Sequence, residues 1–475
     1  MNIVMVASEA RPFCKTGGLA DVSYSLSKEL ASMGENVTII LPFYDVCKNN
    51  PKFHYSYVTD VDIRMSWRHQ KLGVFSSTSD NVQYYFIDAP HYFNRGHLYG
   101  DFDDGERFAA FCHAAKALMI KLELKPDIVH CHDWQTGMIP FMIKKGEYNS
   151  AFKNTKTVLT IHNPAFQGIL PQFCLGDLYN MSDDYFYNGS VRLRDEISTL
   201  KAGIVYADKI TTVSPTHREE LLTPQGSMGL YGDLRLREGD FCGFLNGIDY
   251  KEFNPENDKN LAKEYTPENM LEAKKENKKK LFKQMNLKDY KRPLYSIVSR
   301  MTWQKGFDIM EPTIHELAAR GCNIVLVGSG EYDQEQKWEA LRAKYPDKIG
   351  IYIGYNDALA HLVYGSSDFF LMPSLFEPCG LGQMIAQRYG TLPIVRRTGG
   401  LRDSVINFDS SNEETSNGFG FDNYSCDDLK YTSVYAYDTW FNKKLFERLC
   451  KNAMNTDNTW RKSATLYLGL YKGMR

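Results

Sequence analysis

The sequence is poor in the features that mark a special class of protein. No two of its ten cysteines form a C-x-x-C pair, and they are scattered, so neither a disulfide framework nor a zinc site is indicated. Several lie inside apolar runs and read as small buried hydrophobes. Neither sign of charge is in excess: 56 basic against 58 acidic residues give a formal net charge of −2. That balance gives no support to nucleic-acid binding as the main task. No apolar run approaches the roughly 18 residues that a membrane-crossing helix needs, so no span is expected. The chain enters a strand pattern at once, without a charged leader, an apolar stretch and a cleavage site, which predicts a cytoplasmic protein. Tandem repeats are absent. The one strongly charged stretch, EAKKENKKKLFK (272–283), is short and contains acids, so it reads as a solvated helix face.

What is present is a globular composition, 43% hydrophobic and 24% charged, on a 475-residue chain too long for one ordinary core. Apolar strand patterns alternate with helical ones. In the first half IVMVA (3–7), NVTIILP (36–42), VQYYFID (82–88), DIVHCHD (127–133) and KTVLTIHN (156–163) read as strands. Helical periodicity appears near 20–33 and at 106–124. In the second half LYSIVSR (294–300), NIVLVGSG (323–330), GIYIGY (350–355), DFFLMPS (368–374) and LPIVRR (392–397) repeat the style. Strands alternating with helices imply doubly wound parallel sheets, so the fold class is α/β with two Rossmann-like domains. The boundary falls near 240–250. Polar residues of unusual kind cluster at the carboxyl ends of the strands, where open α/β sheets bind ligands.

Three stretches carry residue types suited to chemistry. KTGGLADV (15–22) follows the first strand and opens a helix. A lysine and two glycines at such a turn suit a phosphate, yet the spacing is neither the Walker pattern nor G-x-G-x-x-G. SRMTWQKG (299–306) sets Arg300 and Lys305 just after a strand, and two cations five residues apart can clamp a diphosphate. Two unrelated surface cations would look the same. SLFEPCGLGQMIAQRYGTLPIVRRTGGLRD (374–403) puts Glu377 after a strand end, with Pro378 and Gly380 shaping the turn before a helix whose N-terminus faces an anion favourably. Two metal readings fail. HCHD (130–133) lacks a third and fourth ligand at a recognised spacing. DFDD (101–104) and DVD (60–62) are similar to the acidic motif of metal-dependent glycosyltransferases, whose architecture is a different, single-domain one. No metal and no cofactor is expected.

KTGGLADV, HCHDWQTG, TIHNPAFQG, FLNGID, SRMTWQKG and FEPCGLGQ…RRTGGLRD stand in the order seen in bacterial glycogen synthases and plant starch synthases. The sequence resembles this family from about residue 1 to WRKSATLYLGLYKG (460–473). The resemblance implies the GT-B fold with an interdomain cleft: residues 1–243 as the acceptor-side domain, 244–455 as the sugar-nucleotide domain, and 456–475 as a helix packing back on the first. It implies a retaining transfer of glucose from ADP-glucose to the nonreducing 4-hydroxyl of an α-1,4-glucan, glycogen. Nucleic acid and membrane are not partners. Alternatives are a UDP-glucose-using GT-B enzyme and a noncatalytic glucan-binding relative.

The same resemblance assigns residues. Lys15 would neutralise the donor's phosphates, and Gly17 and Gly18 would let backbone come close. Asp21 either bonds a sugar or ribose hydroxyl or merely helps the helix N-terminus. Arg300 and Lys305 would steady the leaving diphosphate. His162 would lie near the anomeric carbon and the 6-hydroxyl, and Glu377 would contact glucose hydroxyls without acting as a nucleophile. Asp133 joins the catalytic set. Asn246, Cys379, Gly380, Leu381, Gly399 and Gly400 fall to the donor, with Tyr355 stacking on its base. Tyr92, Trp134 and Asn163 fall to the acceptor. Where many relatives carry Thr or Ser, this chain has Gly382, so a hydroxyl near the phosphates is missing.

Overall fold

Apolar runs covered on both faces become the central strands of a parallel sheet. The first is β1 (Asn2–Val6), four of whose five residues are buried. It is followed by β2 (Asn36–Pro42), β3 (Ser56–Met65), β4 (Arg68–Ser79), β5 (Val82–Asp88), β6 (Ile128–His132) and β7 (Lys156–Ile161). Three short strands, β8 (Ile169–Leu170), β9 (Arg192–Leu193) and β10 (Glu196–Ser198), make a separate small sheet. Then come β11 (Lys209–Thr212) and β12 (Phe241–Gly243). The main sheet runs β12-β11-β7-β6-β1-β2-β5-β4-β3, parallel except where β4 pairs with β3 and β5.

The computed structural model describes residues 1–474. They fall into two units, Met1–Phe244 with the segment from Ser463 on, and Leu245–Lys462. The second unit has one six-stranded parallel sheet: β13 (Leu294–Val298), β14 (Asn323–Gly328), β15 (Ile349–Ile353), β16 (Phe369–Met372), β17 (Leu392–Arg396) and β18 (Phe419–Phe421), in the order β15-β14-β13-β16-β17-β18.

The helix Gly18–Ser32 shows how sequence sets these layers. Leu19, Val22, Leu26 and Leu30 recur at helical spacing and are all buried. The helix stops where Gly34 takes a φ of +90°, and Glu35 N–H donates back to Leu30 O, a Schellman closure that turns the chain into β2. The closing helix, Trp460–Gly473, buries Tyr467 and Tyr471 fully. Tyr467 meets Phe244 edge-on in the first unit. Residues 456–462, expected to lead this helix back to the first unit, instead stay with the second. Asn458 donates to Gln387 Oε1 at 2.8 Å, and Ile248 bridges to Thr459.

Each sheet reverses its direction of winding once. In the first unit β1 is flanked by β2 and β6, and in the second β13 is flanked by β14 and β16. The loops leaving β1 and β6, and those leaving β13 and β16, therefore diverge at the carboxyl ends of their sheets and leave open ground there.

Candidate active site

In the first unit the loop after β1 is organised by a buried carboxylate. Glu9, 2% exposed, accepts from Thr16 N (2.5 Å) and Thr16 Oγ1 (2.7 Å). Burial pushes its carboxyl pKa upward, against the hydrogen bonds from Thr16 and its neighbours. The loop thus folded presents Lys15, whose Nζ lies 2.8 Å from Asp21 Oδ2. Asp21 also takes Arg11 Nη1 at 3.3 Å. Gly17 caps the following helix in an extended conformation, and a methyl group on Gly18 would meet no protein atom within 4 Å.

At the ends of β6 and β7 lies a second group. Asp133 sits at φ +54°, a left-handed conformation rare outside glycine and asparagine. There its Oδ1 accepts from His162 N (2.7 Å) and Asn163 N (3.4 Å), tying the two strand ends together. Burial pushes the Asp133 carboxyl up to about 7, although those two N–H groups oppose the shift. His162 Nε2 pairs with His132 Nδ1 at 3.0 Å, and burial drives the His162 imidazole down to about 3, so the ring is neutral. The Tyr99 hydroxyl reaches Ser8 Oγ at 2.8 Å. Its pKa is raised well above the usual range, chiefly by burial and further by Glu9 and Asp133.

In the second unit Arg300 is exposed beyond β13. Lys305 Nζ stands 2.5 Å from Glu377 Oε2, and Ser374 Oγ donates to the same oxygen at 3.0 Å. Glu377 is buried. Gly306, at φ +79°, lets the chain turn so tightly that a Cβ there would lie 2.2 Å from Pro373 O. The loops after β13 and β16 are thereby pressed together, with Leu375 N donating to Gln304 O at 2.9 Å. Asn246 hydrogen-bonds the buried Cys379 thiol, whose pKa burial pushes up to about 12, leaving it unreactive. The Asn246 Oδ1 is buried without a protein partner. Tyr355 follows β15 and is 86% exposed.

Residues 2–236 match the starch synthase catalytic domain, and residues 261–453 match glycosyl transferases group 1. The chain is 42% identical to the glycogen synthase of Anoxybacillus flavithermus, over 99% of this chain and 97% of that one. It is 41% identical to the glycogen synthase of Alkaliphilus metalliredigens over the whole of both. The chain belongs to the glycogen and starch synthase family of glycosyltransferases. The fold agrees. The catalytic domain of starch synthase IV from Arabidopsis thaliana, bound to ADP and acarbose, superposes with a TM-score of 0.92 at 33% identity, covering 99% of this chain and 98% of that one. Sucrose-phosphate synthase from Thermosynechococcus elongatus shares the fold at a TM-score of 0.63 and 17% identity. The architecture is GT-B.

The protein contacts of the other family residues are as follows. Tyr92 is 1% exposed, and its hydroxyl donates to Glu106 Oε1 (2.7 Å) and accepts from Gln70 Nε2 (2.8 Å). Such a ring is core, so an acceptor contact from Tyr92 is corrected. Asp21 lies in the first turn of the helix Gly18–Ser32, where a carboxylate suits the N-terminus, and it also stands between Lys15 and Arg11. Gly399 and Gly400 are buried, and a Cβ on them would lie 2.0 Å from Glu377 O and 2.2 Å from Cys379 O. They let a helix start pack on the Glu377–Cys379 turn, Gly400 N donating to Glu377 O at 3.1 Å. Gly380, at φ +75°, makes the turn itself, and Leu381 caps the helix Gly382–Arg388. Trp134 meets Phe108 edge-on, and Asn163 Oδ1 takes Ala165 N at 3.0 Å.

Glu9, Tyr99 and His132 are the residues that sequence reasoning passed over. Glu9 lies six residues before Lys15, and a carboxylate beside a phosphate-type loop was a readable signal. His132 was visible only as part of HCHD. Among the described residues, no three His, Cys, Asp or Glu are grouped to hold a metal ion, and no helix is long and apolar enough to cross a membrane.

Proposed function

We propose that the chain transfers the α-glucosyl unit of ADP-glucose to the nonreducing 4-hydroxyl of an α-1,4-glucan such as glycogen, with retention of configuration. The observation that carries this reading is the Lys305–Glu377 pair. An ammonium suited to phosphate and a carboxylate suited to sugar hydroxyls are held within one hydrogen bond of each other. A bond between a diphosphate and a sugar asks for just that neighbourhood. Support for the nucleotide comes from the starch synthase IV relative bound to ADP and acarbose. Ten unpaired thiols suit a reducing, cytoplasmic place of work.

In this reading the second unit takes the sugar nucleotide and the first the glucan. Lys15, Arg300 and Lys305 neutralise the diphosphate as charge develops on it. Gly17 and Gly18 leave room for it, and backbone at Cys379, Gly380 and Leu381 adds donors, with Asn246 beside them. Tyr355 offers its ring to the base. Asp133 holds the His162 backbone in place and His162 faces the sugar, while Trp134 and Asn163 lie towards the acceptor. The charged partner of Glu377 is a cation. A double displacement would need two carboxylates about 5 Å apart. The family resemblance favours a front-face transfer. The C1–O bond to the diphosphate breaks, the C1–O4 bond forms on the same face, and the acceptor's proton passes to the leaving phosphate.

Initial rates with ADP-glucose and UDP-glucose on glycogen test the assignment. The expected kcat/KM is much larger for ADP-glucose. Equal or reversed values overturn the donor. Glycogen binding without transfer from either donor favours a noncatalytic glucan-binding protein.

A further inference from the structure

The imidazole of His132 is fully buried and makes a single side-chain hydrogen bond, from Nδ1 to His162 Nε2 at 3.0 Å. Its own Nε2 is buried with no protein partner. The ring is not free to turn in search of one. It stacks on His130 with centroids 4.3 Å apart. His130 is pinned at both nitrogens, Nδ1 by the Tyr471 hydroxyl of the closing helix (2.7 Å) and Nε2 by Thr160 Oγ1 (2.6 Å). The main chain is clamped as well: His132 N donates to Thr136 Oγ1 at 2.7 Å, and that hydroxyl donates to His132 O at 2.8 Å.

A neutral imidazole carries one N–H and one lone pair, so a single proton lies in the His132–His162 contact. Burial keeps both rings neutral. Two arrangements satisfy the geometry. If His162 donates from Nε2, His132 carries its proton on Nε2, as a buried N–H without an acceptor. If His132 donates from Nδ1, what is left unpaired at Nε2 is a lone pair. A buried orphan N–H is the rarer and costlier of the two. The packing favours the second arrangement, which leaves His162 protonated on Nδ1.

We propose that His132 is a positioning residue that sets the tautomer of His162, so that His162 offers Nδ1–H as a hydrogen-bond donor to an oxygen of the transferred sugar. The sugar contact rests on the function proposed above, whereas the tautomer rests on the protein's own packing. A ring left to choose its tautomer would spend part of its time presenting a lone pair to the same oxygen.

The test uses the whole chain labelled with 15N-histidine, the His162 signals being identified by their loss in His162→Asn. Two-bond 1H–15N correlations are expected to show protonated Nδ1 and bare Nε2 on His162 from about pH 6 to about pH 8. A proton on Nε2 overturns the proposal, whatever the turnover. His132→Leu removes the donor and is expected to mix the two tautomers of His162. It should lower kcat about tenfold or more, with the glucan KM changed less than about twofold. His132→Asn keeps an amide N–H near the Nδ1 position and is expected to recover most of that loss. Wild-type turnover in folded His132→Leu overturns the positioning role. If the native chain transfers glucose from no donor, the functional reading fails, and the tautomer is still decided by the spectrum.

Discussion

The ammonium of Lys305 and the carboxylate of Glu377 are 2.5 Å apart, though 72 residues separate them in the chain. Both side chains are largely buried, so neither charge can be removed alone without stranding the other. Glu377→Ala is expected to fold normally by circular dichroism and to lose about 100-fold or more in kcat. Lys305→Ala should lose comparable activity and also about 2 kcal/mol of stability in urea unfolding. The double variant should be more stable than Lys305→Ala alone. Additive stability losses in that cycle would mean the pair is not coupled.

Asp133 and the histidines around it pull stability in opposite directions with pH. The folded chain holds a proton on Asp133 up to about pH 7, while an unfolded aspartate releases it near pH 4. In that window Asp133 makes stability fall as pH rises, by roughly 1.4 kcal/mol per unit. His130 and His162, held neutral by burial down to about pH 3, and His132, also lowered by burial, do the reverse. Their unfolded forms take up protons below about pH 6.5, so stability rises with pH until then. Unfolding curves are expected to show a net rise from about pH 4.5 to about pH 6.5. Asp133→Asn should make that rise steeper by about one proton. An unchanged slope would mean that Asp133 is ionised throughout.

Tyr92→Phe tests a ring taken out of the glucan's reach. Removing its hydroxyl costs Glu106 and Gln70 a partner each, so stability should drop by about 1–2 kcal/mol. The glucan KM should stay within about twofold of wild type. Tyr99→Phe should behave in the opposite way. Its hydroxyl is joined to Ser8 and feels both Glu9 and Asp133, so kcat/KM for glycogen should fall several-fold with little change in Tm. A larger KM effect in Tyr92→Phe than in Tyr99→Phe would reverse the correction.

The family resemblance implies a Thr or Ser where this chain has Gly382, and the neighbours of Gly382 bear on the difference. A Cβ at this position would lie 3.2 Å from two ring carbons of Phe370 and 3.4 Å from the Tyr364 hydroxyl. Those rings must give by a few tenths of an ångström. Gly382→Ser is therefore expected to fold with a Tm lowered by roughly 2–4 °C. The hydroxyl it gains should lower the KM for ADP-glucose several-fold. An unchanged donor KM would show that the hydroxyl does not reach the phosphates.

The sequence by itself determined the strands, most of their ends and the chemical residues that follow them. Val298 closes β13 just before Arg300, and Met372 closes β16 just before the Glu377 turn, because a strand buried on both faces is a mostly apolar run that stops where a polar residue or a proline follows. The hairpin of β3 and β4 was not legible, since much of SYVTDVDIRM faces solvent and reads like loop. Only the tertiary structure decided partnership. His132 meets His162 because β6 and β7 are neighbours in register, His132 opposite Thr160. Tyr92 is core because the short helix Pro90–Phe93 buries it, its hydroxyl ending on Glu106 of the helix Asp104–Lys121. Asp21 became the counterion of Lys15 because one helical turn brought it back to the loop. Periodicity and turn chemistry are local and can be read along the chain. Which buried proton, charge or ring faces which is set by strand order and packing, and that exists only once distant segments have met.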